Sequence, residues 1–226
     1  MLKSIKVSTA INPRITCNDH EHQAEDLFTP SMMIVASKWS QSLEILLIES
    51  RSMDRYAISN CLMLLTDLHE IHSFYPFGWR MENMDDEVRC LVMSWPKLRT
   101  LRLPPLNPAS ISLSTLRIIA ENCPELRYLH IPLDISTIPP FNTSNKNLRH
   151  NLEVLSVWRV HPSTQLETVK TTSECGIQVA RYLNFIFPYL KSIEVDPENV
   201  TWSGIRDMVK LCQVITPEEL STRQRK

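Results

Sequence analysis

The chain reads as an α/β protein, a curved repeat solenoid with parallel strands on a concave face and helices on a convex face, on two observations. Apolar residues recur in the order Leu-x-x-Leu-x-Leu along its 226 residues, and a proline stop recurs at a fixed offset before that motif. A period of a few tens of residues marks stacked supersecondary units, each burying its apolar face against the next.

The motif occurs at Leu2/Ile5/Val7, Leu43/Leu46/Ile48, Leu98/Leu101/Leu103, Leu126/Leu129/Ile131, Leu152/Leu155/Val157 and Leu190/Ile193/Val195, with Leu68/Ile71/Ser73 as a degenerate copy. First positions are then spaced by 41, 25, 30, 28, 26 and 38 residues, read from the numbering. The middle four spacings lie near the usual repeat length, and the outer two need insertions.

Apolar residues are common enough for such triples to arise by chance, so the second observation carries the weight. Trp95-Pro96-Lys97-Leu98, Cys123-Pro124-Glu125-Leu126 and Phe187-Pro188-Tyr189-Leu190 each place a large or apolar residue and a proline just before the strand leucine. Proline cannot continue a helix and pushes its predecessor to an extended conformation, so each junction ends a helix and starts a strand.

Helical spacing precedes each stop: Val88, Leu91 and Val92; Leu113, Leu116, Ile119 and Ala120; Val179, Leu183 and Ile186. Asp85 or Asp86, Ser112, and Thr172 or Ser173 are the expected N-caps. After the strands come proline-rich turns at Pro104-Pro105, Pro108, Pro132, Pro139-Pro140 and Pro162. The strands carry polar residues at every second position, which favours one buried sheet face over the two of a doubly wound sheet. Segments 13–30 and 75–84 read as loops or insertions. One domain over residues 1–212, with six to seven irregular repeats, is followed by a charged tail expected to be disordered, 213–226.

Composition removes several function classes. The 24 Lys and Arg nearly cancel the 25 Asp and Glu, so there is no broad positive field for nucleic acid or anionic lipid. Glycines occur only at 78, 176 and 204, too scattered for a phosphate-cradling loop. No export signal or membrane-length apolar run is visible, so the expected location is cytoplasmic or nuclear, and six singly spread cysteines read as reduced thiols. Sequons at Asn142 and Asn199 carry no weight without export.

The stretch Ile111 to Ile131, with its helix, Cys123-Pro124 junction and Leu126/Leu129/Ile131 strand, resembles the cysteine-containing leucine-rich repeat of F-box proteins. The run Val179 to Val195, followed by Trp202, Ile205 and Met208, is similar to C-terminal repeats of fungal F-box proteins. The resemblance covers roughly residues 31–212 in style. It implies a leucine-rich-repeat substrate receptor of a cullin-type ubiquitin ligase, in which an F-box docks on a Skp-type adaptor. The three-helix F-box itself is not visible, so that adaptor is expected only if an F-box lies upstream. The family's Asn or Cys ladder position holds Leu106, Asp134, Val160 and Glu198 here, so no asparagine ladder is expected.

Strand alternation places a partner. If the motif leucines point inward, the concave columns read Ser4, Ile45, Glu70, Thr100, Tyr128, Val154, Ser192; then Lys6, Leu47, His72, Arg102, His130, Ser156, Glu194; then Ser8, Glu49, Phe74, Pro104, Pro132, Trp158, Asp196. The central strands concentrate Phe74, Arg102, Tyr128, His130 and Trp158, residue types that anchor protein interfaces. A protein partner is expected there; the alternative is that Phe74 and Trp158 only cover the rim of the core.

No catalytic residue, cofactor or metal site is expected. Cys17-x-x-His20-x-His22 matches no structural zinc spacing, His69 and His72 face opposite ways on a strand, and Cys123 reads as a buried helix-end thiol. No named catalytic spacing occurs, so the chain is expected to be a binding module and not an enzyme.

Overall fold

The computed structural model describes residues 3–9, 32–50, 64–77, 81, 83–103, 110–140, 150–158, 173–195 and 199–223. They form an α/β fold around one parallel, unclosed sheet of eight strands. The strands are β1 (Ser4–Thr9), β2 (Ile45–Ser50), β3 (Ser73–Phe77), β4 (Thr100–Arg102), β5 (Ile111–Ser112), β6 (Tyr128–Asp134), β7 (Val154–Trp158) and β8 (Ser192–Val195). The helices are α1 (32–39), α2 (Met84–Ser94), α3 (Leu113–Asn122), α4 (Ser173–Ile186) and α5 (Val200–Arg223).

Strand order follows chain order, β1-β2-β3-β4-β6-β7-β8, with the two-residue β5 extending the far end of β6 through Ile111↔Leu133. Every connection therefore advances the sheet by one strand in the same direction, whereas a doubly wound sheet reverses at a switch point.

The motif residues point inward. Leu43, Leu46, Ile48, Leu98, Leu101, Leu103, Leu126, Leu129, Ile131, Leu152, Leu155, Val157, Leu190 and Ile193 are buried in a single core, together with the helix residues Val88, Leu116, Ile119, Leu183 and Ile186. The opposite sheet face carries Ile45 and Tyr128, both exposed. One face is thus packed against helices while the other, called the open face below, is not part of the core.

At the N-terminal ends of the strands the backbone repeats one device. The carbonyls of Lys3, Glu44, His72, Arg99, Arg127 and Glu153 each accept two consecutive N–H groups from the next strand, at 2.6–3.1 Å. The same rows carry paired charges: Lys3–Glu44 at 2.9 Å, Lys97–Glu70 at 2.6 Å, Arg99–Glu125 at 2.8 Å, Arg127–Glu153, and Lys191–Glu153 at 2.8 Å. Hydrogen bonds from Lys3, from Arg99, and from Lys191 with Arg127 hold Glu44, Glu125 and Glu153, respectively, below the usual carboxylate range. Exposed pairs of this kind stabilise little and mainly favour one register.

A buried polar ladder runs through the helix-to-strand junctions. Trp95 Nε1 donates to the Leu65 carbonyl at 3.0 Å, the Cys123 thiol to the Trp95 carbonyl at 3.6 Å, and His150 Nε2 approaches the Cys123 carbonyl at 2.7 Å. Each of those carbonyls also closes its own junction turn, receiving the N–H of Leu68, Leu98 or Leu126. The predicted proline stops are thereby seen as β-turns, and Leu65-Thr66-Asp67-Leu68 makes the same turn without proline.

His150 fixes its own tautomer. Nδ1 accepts the Leu152 N–H at 3.0 Å, which leaves Nε2 to carry the proton toward Cys123, and the ring packs edge-on against Phe187 at 5.3 Å. Burial lowers its pKa below 6.5, opposed by the Cys123 bond. His130 is lowered as well, by burial and then Arg102, against Glu194. A depressed histidine pKa means that the unfolded chain takes up protons first as pH falls. Their contribution is complete above about pH 6.5 and is lost as pH drops through the folded values, by at most about 1.4 kcal/mol per pH unit for each histidine. The melting temperature is expected to fall between pH 7.5 and pH 5, and His150→Gln, which does not titrate, to flatten that decline. An unchanged slope in the variant would remove His150 as its source.

Several expectations need correction. In β3, Phe74 pairs with Leu46 and Ser73 with Ile45, so the strand lies three residues later than expected; Ser73 and Tyr75 replace Glu70 and His72 in the first two columns. Ile71, not Leu68, then matches Leu43, and the spacings of 25 and 30 become 28 and 27. Residues 75–77 are consequently strand and not loop, and Pro132 lies buried inside β6 instead of in a turn. The N-cap of α2 is Asn83, whose Nδ2 donates to Asp86 Oδ2 at 2.6 Å, while Asp85 Oδ1 accepts the N–H of Ser112 at 2.9 Å. Ser112 caps α3 as expected, accepting from Thr115. Helix α5 continues to Arg223, through most of the stretch read as a tail. Segment 13–30, Thr172, Pro104, Asp196 and the turn prolines 105, 108 and 162 lie outside the described residues.

Candidate functional site

Alternation along β4, β6 and β7 puts Thr100 and Arg102, Tyr128 and His130, and Val154, Ser156 and Trp158 on the open face. Register then aligns them into rows: Thr100↔Tyr128↔Val154↔Ser192 and Arg102↔His130↔Ser156↔Glu194, with Pro132↔Trp158 beyond. Non-motif positions on neighbouring strands meet side by side, which is how single residues far apart in sequence become one surface.

Three of the five expected partner residues touch. The Arg102 guanidinium reaches across β6 to lie 5.5 Å from the centroid of the Trp158 ring. His130, on the strand between, sits 6.3 Å from the same ring at an angle of 41°. A guanidinium over an indole is attracted by the ring's negative face, by about 0.5–2 kcal/mol depending on desolvation. The contact also holds a flexible arginine in one place. Tyr128 stands two positions before His130 on the same face and is 44% exposed.

Phe74 is not part of this group. The three-residue shift of β3 turns it inward, where it is fully buried and packs edge-on against Trp95 at a centroid distance of 5.0 Å. Its expected concave position is replaced by the backbone place of Phe77, and Tyr75, half-buried, occupies the row of Leu47. The clue to Tyr75 was present in the spacing, because 28 and 27 fit the neighbouring repeats better than 25 and 30 do.

The cluster carries unmet polar atoms. Trp158 Nε1 and His130 Nδ1 are buried and make no hydrogen bond among the described residues. Such groups cost about 1–3 kcal/mol each when left without a partner, so their presence at the centre of an open surface calls for an explanation. His130 is kept neutral near pH 7 by the lowered pKa described above. Glu194, exposed at the end of the row, makes no hydrogen bond or ion pair with any described residue.

Ser156, His130 and Glu194 together contain the residue types of a hydrolase triad, but their order is wrong. Ser156 stands between His130 and Glu194, whereas a triad needs the histidine between nucleophile and carboxylate. The Cys123 thiol, pushed up to about 12 by burial, is no nucleophile at neutral pH. Among the described residues no group of three or more His, Cys, Asp or Glu could hold a metal ion, and no helix is long and apolar enough to cross a membrane.

Fold and site define an α/β protein with a one-sided parallel sheet and a cationic-aromatic cluster on its free face. No protein-family model matches the chain, and no curated protein matches it.

Proposed function

We propose that this chain is a leucine-rich-repeat solenoid that binds a protein partner on the open face of its sheet and performs no chemistry on it. The observation that carries this reading is the Arg102, His130 and Trp158 cluster, held together by ring contacts and flanked by exposed Tyr128. Arginine, tryptophan and tyrosine lose little freedom on binding when already stacked, which is why they dominate interface energies. The one-directional strand order and the near-constant spacing of 28, 27, 28 and 26 residues support the solenoid.

Within that reading, the Cys123-Pro124 junction and its strand support a substrate-recognition region of an F-box-type ubiquitin ligase receptor. The native full-length protein is then expected to co-purify with a Skp-type adaptor, and its partner to accumulate when the proteasome is inhibited. Partner levels unchanged by inhibition would instead mark a scaffold or inhibitor outside ubiquitin transfer.

The binding surface is tested by variants of the full chain against partners identified by quantitative mass spectrometry. Arg102→Glu and Tyr128→Ala are each expected to lower recovery of the same partner at least tenfold, since truncated anchors cost about 2 kcal/mol or more. Their melting temperatures stay near that of the parent, as expected for substitutions outside a core. Undiminished recovery with both variants overturns the open-face assignment.

A further inference from the structure

Two lines of residues run side by side across the N-terminal ends of the strands, and they differ in charge. The outer line, Lys3, Glu44, His72, Arg99, Arg127, Glu153 and Lys191, holds a Lys, Arg or Glu at every position except His72. Its charges are matched within the chain, Lys3 with Glu44, Arg99 with Glu125, and both Arg127 and Lys191 with Glu153. One residue further along each strand lies the open-face row Ser4↔Ile45↔Ser73↔Thr100↔Tyr128↔Val154↔Ser192, which keeps unbroken register and holds no charge. Ile45 and Tyr128 are 38% and 44% exposed, and between them stand the short side chains of Ser73 and Thr100. The hydroxyls of those two make no hydrogen bond with a described residue.

Resting on the open-face reading above, we infer that the partner lays an extended, uncharged segment along this row from Ile45 to Val154. Its aliphatic or aromatic side chains meet Ile45, Tyr128 and Val154, and its amide or hydroxyl groups meet Ser73 and Thr100. A charged side chain placed here loses water and gains no opposite charge from the row, while the line beside it is already paired. Arg102, in the next row, is drawn across β6 to the Trp158 ring.

Length and width follow from sheet geometry. Ile45 and Val154 are four strand spacings apart, about 19 Å at about 4.8 Å per strand, and an extended chain covers that with about six residues. The next open-face row lies two residues farther along the strands, about 7 Å away. A helix with its side chains is roughly 10–12 Å across and would cover charged neighbours as well, whereas an extended segment fits one row.

The test is a display selection from a random nine-residue peptide library on the full chain and on Thr100→Glu, which places one carboxylate at the centre of the row. The parent is expected to enrich peptides with a core of about six residues free of Asp, Glu, Lys and Arg, carrying aliphatic or aromatic residues at alternate positions. Thr100→Glu is expected to weaken such a peptide about tenfold and to enrich peptides with a single Lys or Arg inside that core, while its melting temperature stays near that of the parent. Charged cores enriched by the parent, tighter binding of phosphorylated peptides, identical selections by both proteins, or a library that yields no binder overturn this inference. Charged-core peptides that still lose binding on Tyr128→Ala would leave the open-face reading standing. Enriched peptides that bind both Tyr128→Ala and Trp158→Ala undiminished would end both.

Discussion

Leu129→Ala is expected to destabilise the chain by about 2–5 kcal/mol, among the largest effects of any single truncation here. Leu129 is fully buried in β6, paired with Leu101 on one side and Leu155 on the other. Removing its isobutyl group leaves a hole between strands that the sheet cannot close by moving one neighbour without disturbing the next. Urea denaturation of parent and variant measures the loss directly. Tyr128→Ala, one residue away on the open face, is the control and should shift stability by under about 1 kcal/mol. Equal losses for the two would mean that β6 is not one-sided.

Trp95→Ala is expected to cost about 3–5 kcal/mol. This indole is fully buried at a junction, packs against Phe74 at 5.0 Å, and donates Nε1 to the Leu65 carbonyl at 3.0 Å. Trp95→Phe separates the two contributions. It keeps most of the ring contact and loses the hydrogen bond, whose acceptor still receives the Leu68 N–H at 3.1 Å. A cost of about 1 kcal/mol for Phe against the larger figure for Ala would assign the role mainly to packing. Nearly equal costs would assign it to the ladder.

Much of this fold was legible because its punctuation is chemical. Pro96, Pro124 and Pro188 fix the helix-to-strand offset, and from that offset the inward aliphatic residues of β4, β6 and β8 follow by alternation. The open-face positions of Arg102, Tyr128, His130 and Trp158 were legible for the same reason, since the residues between inward positions must face the other way. β3 was misplaced because its junction, Leu65-Thr66-Asp67-Leu68, turns without proline and its inward residues are Ile71, Phe74 and Pro76 instead of three aliphatics. Local pattern favoured Leu68 as the start, and cross-strand pairing with Leu46 overrode it.

The junction ladder was not legible at all. Leu65, Trp95, Cys123 and His150 share no side-chain type, and what unites them is a carbonyl that must be satisfied at each turn. Indole, thiol and imidazole each supply a donor of the right reach, so the sequence shows three unrelated residues where the fold has one task. Asp85 is similar, because an acid in the first turn of one helix looks like a dipole partner yet also tethers the start of the next helix through Ser112.

The most direct test of the one-sided sheet is thiol labelling of single cysteine substitutions at 128, 129, 130 and 131 in β6 and at 154, 155, 156 and 157 in β7, with the parent's exposed Cys90 as internal reference. Alternating reactivity is predicted, with the even positions labelled faster under native conditions and the odd ones protected until the chain unfolds. Uniform protection of all eight, or labelling of the odd positions instead, would contradict the account.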